Sequence, residues 1–82
     1  MAKDIIEEVF WLEGPLGTVW FSASNFVSLE LRPTGEVILV TAKGEHRLKF
    51  ATREIAEHKC KVLVKQLNDF RRAVNNFVIY KG

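Results

Sequence analysis

EHRLKFATREIAEHKCKVLVKQLNDF, residues 45–70, holds the one change of hydrophobic period in the chain. Before Thr52, Leu48 and Phe50 alternate with Arg47 and Lys49. Alternation of this kind places one set of side chains on each face of a β-strand. After Thr52 the apolar residues fall at Ala56, Cys60, Leu63, Leu67, Phe70, Val74 and Phe77. Their steps of four and three trace one stripe along an α-helix. The Thr52 hydroxyl suits an N-cap, because it can accept from the free amides of the first turn. Glu54 sits well at the positive helix end. No Gly or Pro interrupts Arg53 to Val74. Glu57 with Lys61, and Asp69 with Arg72, have helical pair spacing. Asn75-Asn76 reads as the stop, so a helix is expected over 53–75, with 76–82 as a tail or short last strand. A helix of about 22 residues is roughly 33 Å long. A six-residue strand spans only about 20 Å, so the helix is expected to overhang its sheet.

Upstream of this switch, short strands alternate with turn chemistry. Residues 5–12 stop at Gly14-Pro15-Leu16-Gly17, and residues 18–23 are rich in β-branched and aromatic types. Ser24-Asn25 is a weaker turn signal. Residues 26–32 alternate, and Pro33-Thr34-Gly35 supplies a tight turn. Residues 36–42 form another strand, followed by a hairpin signal at Lys43-Gly44. Loops this short make neighbouring strands antiparallel. The expected fold class is therefore α+β: an antiparallel four- to five-stranded β-meander over about 5–51, followed by one long C-terminal α-helix packed on one sheet face, all in a single domain 1–82. Val27, Leu29, Leu31, Val37, Leu39, Leu48 and Phe50 are expected to face Leu63, Leu67 and Phe70.

The 82 residues carry 12 Lys+Arg against 10 Asp+Glu, a net charge of +2. By segment this is −3 over 1–13, +1 over 14–52 and +4 over 53–82, so the basic excess lies on the C-terminal segment. The start is acidic and lacks the basic-then-apolar form of a signal peptide. No apolar run approaches a membrane span. With Cys60 as the sole cysteine, no internal disulfide can form, and a reducing, cytoplasmic setting is expected.

Chemistry-bearing motifs are absent from the sequence. His58 and Cys60 are about 200° apart around a helix, so they cannot converge on one metal or proton. His46 lies apart, in a strand. Glu7 and Glu8 point to opposite faces, and Glu54 and Glu57 have basic neighbours, so neither pair has the apolar setting of an acid catalyst. The glycines form no phosphate loop. No enzyme activity, metal or cofactor is expected.

The aromatic residues stand out. Phe10-Trp11 and Trp20-Phe21 are adjacent pairs, which place an aromatic group on both faces of their strands. One helix covers one sheet face. The other is expected to show Phe26, Ile38 and Val40 with one aromatic from each pair, rimmed by Arg32, Arg47 and Lys49. An apolar patch of that size on a monomer marks an interface. Burial by a second copy, curling of the sheet, and stacking of single-stranded nucleic acid are the main ways to use it, with a small-molecule pocket as a fourth. The favoured expectation is a non-enzymatic homodimeric interaction module with Phe10, Trp11, Trp20, Phe26, Phe70, Val74 and Phe77 at its interface. The alternative is a single-stranded nucleic-acid binder in which the sheet aromatics stack bases and Arg47, Lys49, Lys61, Lys65 and Arg72 meet phosphates.

Overall fold

The computed structural model describes residues 9–70 and 76–80. Six strands and one helix follow in the order β1 (Val9–Gly14), β2 (Gly17–Ser22), a 3-10 turn (Ala23–Asn25), β3 (Phe26–Leu31), β4 (Glu36–Thr41), β5 (Gly44–Lys49), α1 (Arg53–Asp69) and β6 (Phe77–Ile79). The fold class is α+β, with mostly antiparallel strands and one C-terminal helix on a sheet.

The turn residues act as their chemistry dictates. Arg32 accepts from the Gly35 amide at 3.1 Å across Pro33-Thr34, and Gly35 takes φ +91°, a conformation that favours glycine. Thr52 is extended and accepts from the Ile55 amide at 3.1 Å, so it caps α1.

The sheet differs from the expected meander. β1 and β2 form a separate two-stranded hairpin, while the four-stranded sheet runs in the order β5-β4-β3-β6. The meander is therefore confined to β3–β5. The 3-10 turn at Ala23–Asn25 breaks the chain direction between β2 and β3, so the two do not pair. The tail enters the sheet: β6 runs parallel to β3, with Leu29 opposite Phe77 and Leu31 opposite Ile79. Phe77 thus belongs to a strand and not to the helix stripe. α1 has 17 residues and ends at Asp69. At 1.5 Å per residue this is about 25 Å, which removes most of the expected overhang. The positions proposed for its continuation, 71–75, lie outside the described residues.

Hairpin, sheet and helix share one core. β3 and β4 contribute Leu29, Leu31, Val37 and Leu39; α1 contributes Ala56, Cys60, Leu63 and Leu67; the hairpin contributes Phe10, Leu12 and Phe21. Leu29, Leu31, Val37, Leu39 and Leu67 are all fully buried. Two expected positions are exchanged. Val27 is 44% exposed and Phe26 only 6%, the reverse of the alternation expected from the sequence. A register shift between Phe26 and Ser28 is the cause, since one extra residue turns the strand's faces over. Phe26 then lies 6.1 Å from Phe21, which is 6.2 Å from Phe10, so a row of rings joins the hairpin to the sheet. The hairpin's far end sits close to β5: a Cβ added at Gly14 would come within 2.5 Å of Leu48 Cδ2.

Candidate functional site

Among the described residues, the hairpin fixes a surface where large aromatic side chains face outward together. Its strands join through Pro15-Leu16, with Gly14 opposite Gly17, and the ladder then sets Trp11 directly opposite Trp20. Alternation turns Phe10, Leu12 and Phe21 inward and leaves Val9, Trp11 and Trp20 outward. The two indoles pair across the strands with ring centroids 5.2 Å apart and planes tilted by 40°. Trp11 is 48% exposed and Trp20 63%. Such a cross-strand aromatic pair steadies the hairpin and also presents two flat apolar faces to the outside.

Grooves run along both sides of this pair. On the β1 side, Val9, Phe10 and Trp11 face Gln66, Asp69 and Phe70 of the helix end. Farther along, Trp11 shares a shallow groove with His58, Lys59 and Val62. There Lys59 meets Glu13 at 3.7 Å, an ion pair that ties α1 to β1. Val62 and Phe70 are both exposed and extend the apolar surface from Trp11 onto the helix. Phe70 also makes an edge contact with Phe10 at 5.8 Å. On the β2 side, Val9 and Trp20 face Asn25, Thr41, Lys43 and His46.

Of the interface positions expected from the sequence, Trp11, Trp20 and Phe70 share this surface. Phe10 and Phe26 are buried in the chain's own core. Phe77 is half-buried against that core in β6, and Val74 lies outside the described residues. The expected patch on the second sheet face does not form. Phe26 has turned inward, the tryptophans belong to a different sheet, and Ile38 is only 5% exposed. Ile38 stands between Glu30 and Arg47 in the ladder. Arg47 also reaches Glu45 at 2.9 Å and Glu36 at 3.8 Å, while Arg32 meets Glu30 at 3.4 Å. Ile38 thus sits in the ladder among paired charged residues.

The expected phosphate contacts are scattered. Arg47 is engaged as described, and Lys49 donates to the Thr34 carbonyl at 3.0 Å. Lys61 pairs with Glu57 at 2.8 Å and Lys65 with Asp69 at 3.2 Å. Arg72 lies outside the described residues. Arg47 and Lys49 line a cleft against the hairpin turn at Gly14–Val19, away from both indoles. Among the described residues, Lys43 lines the groove beside Trp20 and Lys59 the groove beside Trp11, and neither is among the phosphate contacts expected from the sequence. The signal that would have found the tryptophan pair is the two-residue loop itself, since it fixes Trp11 opposite Trp20.

Cys60 is fully buried, and its thiol is pushed up to about 12, first by burial and second by the nearby Glu57 charge. It stays protonated and packs as a small apolar group. Among the described residues, no group of three or more His, Cys, Asp or Glu is placed to hold a metal ion. None of the described helices is long and apolar enough to cross a membrane. No protein-family model matches the chain, and no curated protein or solved structure matches it either.

Proposed function

We propose that the protein is a non-enzymatic homodimeric interaction module, and that two copies meet through the tryptophan face of the β1–β2 hairpin. The observation that carries this reading is the directly paired, half-exposed Trp11 and Trp20. A tryptophan offers up to about 250 Å² for burial, so covering the exposed halves of four indoles removes on the order of 500 Å² from water. At about 25 cal/mol per Å² that is roughly 12 kcal/mol before association costs. Those costs run from about 4 to 15 kcal/mol, so the indoles alone come near to balancing them. Val9, Val62 and Phe70 add the apolar rim that makes the balance favourable. A second reading, stacking of single-stranded nucleic acid, draws support from Lys43 and His46 beside Trp20.

Tryptophan fluorescence separates the two readings. Under the dimer reading, emission shifts to the blue as protein concentration rises, and short single-stranded oligonucleotides leave it unchanged. Quenching by oligonucleotide at low salt that disappears at high salt favours the second reading, because phosphate contacts release counterions. Emission that responds to neither concentration nor oligonucleotide overturns both.

A further inference from the structure

Among the described residues, the two flanks of the tryptophan face differ in charge at the Val9 end, and this difference favours one way for two copies to meet. Among the described residues, the charged one lining the groove on the β1 side at the Val9 end is Asp69. The groove on the β2 side, also at the Val9 end, is lined by Lys43 and His46. Asp69 and Lys43 are both exposed. When two identical faces are pressed together, their two-fold axis lies in the plane of contact, and its two limiting directions are along the strands and across them.

An axis across the strands lays the Val9 end of one hairpin over the Glu13 end of the other. It sets an apolar residue against a charged one and turns each Lys43 flank toward the same flank of its partner. An axis along the strands does the opposite. It sets Trp11 against the partner's Trp20, keeps the Val9 ends together, and lays each β1 flank over the partner's β2 flank. Asp69 then faces the partner's Lys43, twice by symmetry. Lys65 holds one oxygen of Asp69 at 3.2 Å, and a carboxylate accepts on both oxygens.

Resting on the dimer reading above, we infer that the second copy docks with its two-fold axis along the hairpin strands, its register set by reciprocal contacts between Asp69 and the partner's Lys43. Charge complementarity of this kind fixes register and suppresses wrong pairings more than it adds raw affinity.

Charge reversal tests the inference. Lys43→Glu and Asp69→Lys change exposed side chains, and circular dichroism checks that each variant is folded. Each single reversal places like charges together and is expected to weaken the dimer by about tenfold or more in sedimentation equilibrium. The double variant carrying both reversals restores unlike charges and is expected to return within about threefold of the wild type. A wild type that dimerises but ignores both single reversals overturns the register and leaves the tryptophan face standing. So does a double variant as weak as the sum of its parts. A monomeric wild type overturns both the register and the dimer reading beneath it.

Discussion

Two outward surfaces of this molecule lack a covering element among the described residues, and they are built in opposite ways. On the four-stranded sheet, the buried Ile38 stands in the ladder between Glu30 and Arg47, with Arg32, Glu36 and Glu45 in ion pairs nearby. On the hairpin, Trp11 and Trp20 stand uncovered, with Val9 beside them. Charged side chains on long stems can shield a branched aliphatic residue and still keep their heads in water. The sheet's outer face is thus mostly charged around Ile38, with Val78 exposed along its β6 edge. The hairpin face carries Glu13 and Thr18 at its turn end, and both indoles remain about half exposed. The contrast shows that exposed apolar residues matter when neighbours leave them bare, not merely when they are present.

Beneath both surfaces lies the same core, and breaking it should have the largest effect. Leu67 is fully buried where helix, sheet and hairpin meet. Leu67→Ala should cost about 2–5 kcal/mol in chemical denaturation, measured at fixed protein concentration. A loss below about 1 kcal/mol would mean that the three elements do not share that core. Trp20 comes next. Trp20→Ala should weaken self-association by at least about 2 kcal/mol, the cost typical of a central aromatic anchor. Its far-ultraviolet circular dichroism should stay that of the wild type.

The core also has a pH signature. The Cys60 thiol is raised from 9.0 to about 12 in the folded chain. The unfolded chain therefore loses this proton first. The associated stability is complete below pH 9 and declines as pH rises toward 12, which denaturation at stepped alkaline pH would register. A Cys60→Ala variant should lack that part of the slope. At neutral pH the native thiol should resist aromatic disulfide reagents, and rapid labelling would contradict its burial.

Thr52→Ala, which removes the α1 cap, should cost about 1 kcal/mol. The smallest effect is expected on the sheet's charged surface. Arg47 is exposed, so Arg47→Ala should change stability by less than about 0.5 kcal/mol and leave self-association untouched. If Arg47→Ala disrupts association while Trp20→Ala does not, the two surfaces have been assigned the wrong way round.

Much of this arrangement can be read locally. The turn at Pro33-Thr34-Gly35, the hairpin at Lys43-Gly44, the cap at Thr52 and the buried stripe Ala56, Cys60, Leu63 and Leu67 all follow from short-range chemistry. What escaped depends on distant partners. The shift between Phe26 and Ser28 exists only relative to β4, and it alone sends Phe26 inward and Val27 outward. The parallel pairing of β6 with β3 joins residues far apart in the chain, which no local pattern encodes. The separation of the hairpin from the larger sheet depends on how the turn at Ala23–Asn25 directs the chain. For the surface proposed here, the sequence pointed to Trp11 and Trp20 because adjacent aromatics must face opposite sides of a strand, and to Phe70 because it lies at the far end of the helix stripe. It missed Val62, Lys43 and His46 because their approach to the indoles comes from packing α1 and the β4–β5 turn around the hairpin.

The bare hairpin face is proposed as a contact between two copies of the chain. Sedimentation equilibrium across the micromolar range, on the wild type and on a Trp11→Thr, Trp20→Thr double variant, tests it most directly. The account predicts a dimer mass for the wild type and a monomer mass for the folded variant. A wild type that remains monomeric throughout, or a variant that still dimerises, would contradict it.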